Sequence, residues 1–184
     1  RPLPRGSAPG QGAAGCVGRA GERLRAGAQD DSVGAVRPAG HSAGGGKAMG
    51  FCFRDKVGSG AKYARNRYQL KRVAVVDVDV HHGNGTEDIL AGEPKALMVS
   101  FFQSPFYPNS GEVAKGEHMV NIPVPAYTKG LDIRELIDMM WPPRLEAFKP
   151  EMIFIVAGFH PHRHDGMAQS KLNATPSTPT PPVG

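Results

Sequence analysis

The most constraining stretch of this chain is residues 73–86, which read VAVVDVDVHHGNGT. Its continuous apolar, β-branched start is typical of a central strand in a parallel sheet, which is buried on both faces. Alternate residues of a strand share a face, so Asp77, Asp79 and His81 are predicted to point the same way, about 7 Å apart. Sites in open parallel sheets form at the carboxyl ends of the strands. The stretch therefore predicts a functional site at the end of a buried strand.

The charged groups at this strand end have two interpretations. A carboxylate and an imidazole two residues apart are ligands that zinc accepts. In the alternative, these side chains only cap helices and pair with surface charges. The metal interpretation is favoured for the motif as a whole, because such groups at a buried strand end are costly unless they are paired or coordinate a metal.

Glycine and proline are unevenly placed in the 184 residues. Residues 1–30 are mostly Gly, Ala, Arg and Pro, and residues 173–184 form a Pro/Thr tail; neither segment can build a core. Both are predicted to be disordered, with a partial domain over residues 31–172. Most of the net charge of +5 comes from arginines of the first segment. Because there is no basic stripe with interleaved aromatic residues, direct binding of nucleic acid is not expected.

Cysteine content and hydropathy bear on the cellular compartment. Two cysteines, Cys16 and Cys52, do not make a disulfide framework. No apolar run approaches transmembrane length, and the Arg-rich start lacks the apolar block of a secretory signal. These features predict a reduced, cytoplasmic protein without membrane contact. The chain begins with Arg rather than Met, which suggests a fragment or a processed product. Nothing in the sequence indicates an oligomeric state.

Strand-like and helix-like segments alternate along the foldable part of the chain. The strands are predicted at 73–80, 96–101 and 152–157, and the helices within 54–70, 85–92 and 131–149. Thr86 is predicted to cap the second helix, and Pro142–Pro143 to interrupt the amphipathic third one. Alternation of this kind is typical of an α/β fold with a mainly parallel sheet.

Two other segments carry residues of the same chemical type. Residues 157–165 (AGFHPHRHD) follow a predicted strand and contain His160, and His41 follows a short predicted strand in RPAGHSA. A catalytic zinc site generally needs three protein ligands. If the three strand ends converge, the site suits metal-assisted hydrolysis, in which the metal polarises a carbonyl and activates water.

These segments, in this order, resemble a known family. RPAGHSA, GFCF, DVDVHHGNGT and AGFHPHRHD look like the successive signatures of the histone deacetylase superfamily. The resemblance is closest to its class II-like members and to the acetylpolyamine amidohydrolases, and it runs from about residue 33 to about residue 170. It implies a truncated arginase/deacetylase-like three-layer α/β/α sandwich. It also implies hydrolysis of an N-acetyl amide, with acetylated lysine or a small acetylated amine as substrate.

The resemblance implies two cation sites. Asp79 and His81 match two of the three ligands of one zinc ion, and His160 stands where the family has an aspartate as the third ligand. Asp77, Asp79 and Ser100, together with backbone carbonyls, match a monovalent-cation site that takes potassium.

The resemblance also implies roles in catalysis and substrate binding. His41 matches a catalytic histidine that Asp77 orients. Ser42 stands where the family has its second histidine, usually assigned as the general base, and Asn84 matches the partner of that histidine. Phe51 matches one wall of the acyl-lysine tunnel. For His82 and Cys52, which lie inside the matched motifs, a packing role is an equal alternative.

Three departures from the family pattern predict an impaired enzyme. A serine hydroxyl at position 42 cannot accept a proton near neutral pH. His160 replaces an aspartate, and the family's later tyrosine loop is absent from the sequence. A zinc-dependent deacetylase with reduced activity is the favoured function. A non-catalytic metal-binding or structural remnant is the main alternative, and an arginase-like ureohydrolase is less favoured because only one D-x-D-x-H pattern is present.

Overall fold

The computed structural model of this protein describes residues 40–158. The predicted disordered segments, 1–30 and 173–184, lie outside that range, as does His160. The elements follow one another in the order of an alternating α/β chain. They are α1 (Lys56–Tyr68), β1 (Val73–Asp77), α2 (Asn84–Leu90), β2 (Ala96–Gln103), β3 (Met119–Val124), α3 (Gly130–Phe148) and β4 (Met152–Val156).

The four strands of the described region form one parallel sheet in the order β3-β2-β1-β4. The central strands are apolar along their length, and β2 is buried at every position. In register, Asp77 at the end of β1 lies between Ser100 of β2 and Val156 of β4. The motif of residues 73–86 therefore leaves the sheet at its middle, at the carboxyl edge where open sheets form their sites.

Helices cover both faces of this sheet. On one face, Ala61 and Ala64 of α1 and Leu90 of α2 pack against Val73 and Val75 of β1. On the other face, Ile133 and Trp141 of α3 pack against the alternate residues of the strands. This arrangement confirms the predicted three-layer α/β/α architecture with a mainly parallel sheet. In residues 40–158, no helix is both long and apolar enough to cross a membrane.

The strand that carries the motif ends earlier than predicted. Strand β1 stops at Asp77 rather than at residue 80. The Asp77 carboxylate accepts a hydrogen bond from the backbone N–H of Asp79, and the Asp79 carboxylate accepts one from the N–H of His81. Aspartate side chains that bond to the backbone two residues on replace the strand ladder with a turn. The predicted end of the strand at residue 80 is therefore wrong.

The third predicted helix is not interrupted. Helix α3 continues through Pro142 and Pro143, although each proline removes a backbone donor from the helix interior. Trp141 is buried and stacks on Phe101 of β2, with ring centroids 6.2 Å apart. Burial of an aromatic side chain on the sheet offsets the local cost, so tertiary packing decides the conformation here.

Thr86 also differs from its predicted role. It lies inside α2, whose N-cap residue is Gly83, and its hydroxyl donates to the carboxylate of Asp55 at 2.7 Å. Asp55 is the N-cap of α1 and also accepts hydrogen bonds from the backbone N–H groups of Val57 and Gly58. Thr86 therefore ties the start of one helix to the other instead of capping its own.

Strand β4 presents apolar surface in the described region. Ile153 and Ile155 are 49% and 70% exposed, on the face that α3 covers over β2 and β3. Edge strands with exposed apolar side chains favour self-association. We expect Ile155→Lys to raise the protein concentration at which light scattering first detects association. Leu131→Lys, at an exposed position of α3, adds the same charge away from the strand. An equal response to both substitutions would show that the strand is not responsible.

Candidate functional site

His41 and Asp77 form a buried pair at the end of β1. His41 Nδ1 lies 2.8 Å from Asp77 Oδ2, and both side chains are almost completely buried. Burial alone would lower the pKa of His41, but the charge of Asp77 and the hydrogen bond to it act in the opposite direction. With the charges of Asp79 and Asp55 added, the pKa of His41 is raised to about 9. The imidazole is therefore protonated at neutral pH.

The backbone of His41 is held by hydrogen bonds from the start of α2. The carbonyl of His41 accepts hydrogen bonds from the N–H groups of Gly85 at 2.8 Å and Thr86 at 3.1 Å. A Cβ atom on Gly85 would lie 2.3 Å from the backbone oxygen of Ala43, so only glycine fits. On Gly83, a Cβ atom would lie 2.5 Å from Asp77 Oδ2. The glycines of the motif thus allow two backbone segments to touch around the His41–Asp77 pair.

Asp79 and His81 form a second pair beside the first. His81 Nδ1 lies 2.9 Å from Asp79 Oδ1. Burial would raise the pKa of Asp79, but the interactions with His81 and the charge of His41 hold it below its usual value. The other oxygen of Asp79 faces Gly158, two residues after the end of β4, where a Cβ atom would collide with it at 1.6 Å. Asp79 is therefore ionised and directed towards Gly158, two positions before His160 in the sequence.

This donor set fits part of a zinc site. Two of the three predicted ligands, Asp79 and His81, lie in the described range within contact distance of each other, and a carboxylate and an imidazole are ligand types that zinc binds. His160 lies outside residues 40–158, and within those residues no group of three or more His, Cys, Asp or Glu side chains is placed to hold a metal. The ligand set of Asp79, His81 and His160 accordingly stays a prediction.

Ser42 and Asn84, which the family resemblance relates to each other, are close together. Asn84 Nδ2 donates to the backbone carbonyl of Ser42 at 3.3 Å and contacts Met49 Sδ at 3.6 Å. Asn84 Oδ1 is buried and has no hydrogen-bond partner among the described residues. Ser42 is itself buried, and its Cβ would be only 2.6 Å from a Cβ on Gly50. The asparagine therefore has an unused acceptor next to the position where the family has a histidine.

Ser100 is adjacent to Asp77 in the sheet register and fully buried. Its hydroxyl donates to Asn121 Oδ1 at 3.3 Å. Asp77 lies beside Ser100 at the end of β1, and Asp79 follows two residues later. The potassium site, like the zinc site, stays a prediction.

Phe51 projects from a tight turn next to the site. It is 91% exposed and has a positive φ of 58°, between the paired backbones of Met49 and buried Cys52. Tyr107 lies next to the same turn, since its ring is 3.5 Å from a Cβ placed on Gly50. An exposed aromatic side chain in this position is available to contact a ligand that approaches the site.

Two aromatic residues near the site were missed by sequence reasoning. The ring of Phe106 stacks on that of His81 with centroids 5.0 Å apart and planes at 22°, and Tyr107 meets His81 edge-on at 6.2 Å. Both belong to QSPFYPNSG, which the sequence marks only as a loop. The one available signal was that this loop follows a predicted strand of the same parallel sheet, so that it begins at the same edge as the motif.

Comparison with known proteins identifies the family. A sequence model described as the histone deacetylase domain matches residues 5–178. The chain belongs to the histone deacetylase family. It is 37% identical over 139 residues to histone deacetylase 10, chloroplastic, of Oryza sativa subsp. japonica, an alignment that covers 72% of this chain and 31% of the rice protein.

Solved structures agree with the family assignment. The crystal structure of the HDA15 HD domain matches with a TM-score of 0.77 and 32% identity. An acetylpolyamine aminohydrolase from Burkholderia pseudomallei matches with a TM-score of 0.74 and 30% identity. Each match covers 86% of this chain and 48% of the solved chain. The present chain thus spans about half the length of these structures, and the family resemblance seen in its motifs is confirmed.

Proposed function

We propose that this chain is a zinc-dependent deacetylase-family protein that acts on N-acetyl amides with reduced efficiency. The observation that carries the proposal is the pairing of His41 with Asp77 beside the pairing of Asp79 with His81, all at one strand end. Acetylated lysine or a small acetylated amine is the proposed substrate. Support for this class comes from the names of the relatives, which include histone deacetylases and an acetylpolyamine aminohydrolase.

The proposed ligands divide into two sets. Asp79, His81 and His160 would hold zinc, which when bound polarises an amide carbonyl and lowers the pKa of water. Asp77, Asp79 and Ser100, with backbone carbonyls, would hold potassium. Phe51 and Tyr107 would line the approach of the acyl chain, because both are exposed and lie next to Gly50.

Proton transfer is the weak point of the proposed site. A general base must be unprotonated at the working pH, but the pKa of His41 is raised to about 9, so it holds its proton. Ser42 offers no alternative acceptor near neutral pH. His41 would therefore act as a positive charge that stabilises developing negative charge on the substrate. Loss of a general base typically slows catalysis by about 10²–10⁴-fold.

The main alternative is a non-catalytic metal-binding or structural remnant. It is favoured by the same observation, a charged His41 next to a serine that cannot take its place as a base. The family match argues against the arginase-like alternative. A cytoplasmic location stays a prediction, and the rice relative carries the word chloroplastic in its name.

Two measurements on the full chain separate these functions. We expect elemental analysis to find zinc, and we expect Asp79→Asn to reduce it sharply, because the site then loses its charged ligand. We expect acetyl-lysine peptide hydrolysis to be slower by about 10²–10⁴-fold than that of an intact family member. Ser42→His should recover only a small part, since a histidine side chain must also find room beside Gly50.

The outcomes differ for each proposal. Zinc that is bound and lost in Asp79→Asn, with weak turnover, supports the impaired enzyme. Zinc without any turnover supports the metal-binding remnant. Robust zinc-dependent turnover by the unmodified chain would show that the impairment is wrong. Equal metal content in the unmodified chain and in Asp79→Asn would remove the zinc proposal altogether.

A further inference from the structure

The segment of residues 104–118, called here the aromatic loop, connects β2 to β3 and carries Phe106 and Tyr107. Both rings contact the imidazole of His81, one stacked at 5.0 Å and the other edge-on at 6.2 Å. A ring that is stacked on one side and meets an edge on another has little freedom to rotate. The orientation of His81 therefore depends on where the aromatic loop sits.

Directly beneath this loop lies a buried ionisable pair that the proposed reaction does not use. The side chains of His82 and Glu87 are each 1% exposed, and His82 Nε2 lies 3.3 Å from Glu87 Oε2. The other nitrogen, His82 Nδ1, lies 2.9 Å from Ser110 Oγ in the aromatic loop. The ring of His82 also packs on Phe102 at 4.6 Å. The pair thus joins the metal-site segment, α2 and the loop.

The second oxygen of Glu87 holds the loop at further points. Glu87 Oε1 accepts a hydrogen bond from the backbone N–H of Lys115 at 3.1 Å and another from Asn121 Nδ2 at 2.9 Å. Asn121 Nδ2 also donates to the carbonyl of Gly111 at 3.0 Å. Burial would raise the pKa of Glu87, but the contact with His82 and these donors hold it below its usual value. Glu87 therefore bonds to the loop directly at Lys115 and, through Asn121 of β3, indirectly at Gly111.

The loop touches the His82 ring without any side chain between them. Gly111 has a φ of +95°, and a Cβ atom there would lie 2.6–2.7 Å from three atoms of the imidazole. Glycine is required at this position for two reasons: φ lies in the left-handed region, and the space that a side chain would need is filled. The backbone of the loop at Gly111 thus packs directly against the imidazole ring of His82.

We propose that His82 and Glu87 are positioning residues that seat the aromatic loop and, through Phe106, fix the imidazole of His81. A buried carboxylate is costly unless all its oxygens are bonded, and removing the groups that bond it leaves an uncompensated charge. The loop supplies a hydrogen-bond donor, the Lys115 amide, to the Glu87 carboxylate, and the same bond holds the loop in place. The inference deepens the proposed function, on which the importance of His81 rests, but the contacts themselves need neither zinc nor substrate.

The test compares three variants of the full chain in the presence of a metal chelator. Glu87→Leu removes both hydrogen bonds that residue 87 accepts from Lys115 and Asn121, whereas Glu87→Gln keeps an acceptor for them. The matched control is Asp88→Ala, one residue further along α2. Asp88 holds the same loop only from outside, through Lys115 Nζ at 2.9 Å on the exposed surface.

Two measurements report on the loop and on His81 separately. Hydrogen exchange at the Lys115 amide should accelerate by about tenfold or more in Glu87→Leu, because a buried hydrogen bond is lost. The ring protons of His81, assigned by comparison with His81→Asn, should move downfield in NMR spectra as the ring current of Phe106 is withdrawn. Glu87→Gln and Asp88→Ala should change neither quantity appreciably.

A milder variant keeps the test valid if Glu87→Leu does not fold. Ser110→Ala removes only the contact with His82 Nδ1 at an exposed position, and it should shift the His81 signals in the same direction by a smaller amount. Unchanged His81 signals in both Ser110→Ala and Glu87→Leu, or equal responses in Glu87→Leu and Asp88→Ala, would overturn the inference. Because no measurement involves zinc or turnover, failure of the proposed function would not imitate either result.

Discussion

Replacing Gly85 with alanine is expected to destabilise the chain by about 3 kcal/mol, the upper range for forcing extra volume into a packed interior. The added Cβ would lie 2.3 Å from the backbone oxygen of Ala43, 2.5 Å from its carbonyl carbon and 2.6 Å from its nitrogen. Backbone atoms cannot rotate away as the end of a side chain can. The segment of His41 and Ala43 must therefore move, and the hydrogen bond from Gly85 N to His41 O is lost with it.

The sign of this effect distinguishes it from ordinary helix propensity. In an exposed helix interior, glycine to alanine stabilises by about 1 kcal/mol. Gly92 and Gly45 serve as controls, because a Cβ atom placed on either would have no neighbour within 4 Å. Gly92→Ala and Gly45→Ala should shift the free energy of unfolding, measured in urea, by no more than a few tenths of a kcal/mol. A Gly85→Ala variant as stable as these controls would mean that the close contact of Gly85 with the segment of His41 and Ala43 does not exist.

The sheet could be predicted because its signal is local. The β-branched run before Asp77 and the apolar run from Ala96 are patterns that few alternatives fit, and both became central strands. Strand ends were less predictable. The sequence VDVDVHH alternates like a strand, yet the carboxylates of Asp77 and Asp79 bond to the backbone N–H groups two residues on. The same side chains that mark the site also end the strand, and periodicity does not register that competition.

The site was only partly predictable for a similar reason. His41 and Asp77 are 36 positions apart in the sequence, and only the family resemblance predicted that they pair. The contact of Thr86 with Asp55 spans 31 positions and has no signature in either segment. A threonine near a helix start is normally a cap, and only the arrangement of α1 against α2 gives its hydroxyl another partner. Long-range contacts between single polar residues need the fold before they can be seen.

The proline pair of α3 shows the opposite error, in which a strong local signal was overridden. Two prolines in the interior of a helix would each cost about 3 kcal/mol in isolation. Helix α3 continues through them because residues on both sides, including Trp141 and Leu145, pack on the sheet. Local sequence rules predicted the amphipathic face of this helix correctly but wrongly predicted an interruption at the two prolines.

The stability of the metal-free chain is expected to fall as pH rises from about 6.5 to about 9, because the pKa of His41 is raised to about 9 in the folded state from 6.5. Below pH 6.5, the imidazole is protonated in both the folded and the unfolded chain, and the attraction to Asp77 stabilises the fold fully. Between the two pKa values only the folded chain holds the proton, so each increase in pH favours unfolding. Above pH 9 the contribution is gone.

The expected loss is about 3 kcal/mol, since each pKa unit corresponds to about 1.36 kcal/mol. It should be measured by urea unfolding across this pH range with a chelator present, in the unmodified chain, in His41→Gln and in Asp77→Asn. The first variant has no imidazole to titrate, and the second returns His41 to a lower pKa, so both should show a much flatter profile. The measurement also bears on function. If the profile of His41→Gln is as steep as that of the unmodified chain, His41 does not cause the pH dependence and its pKa is not raised in the folded state. His41 would then be largely neutral at pH 7 and able to accept a proton, contrary to the proposed impairment.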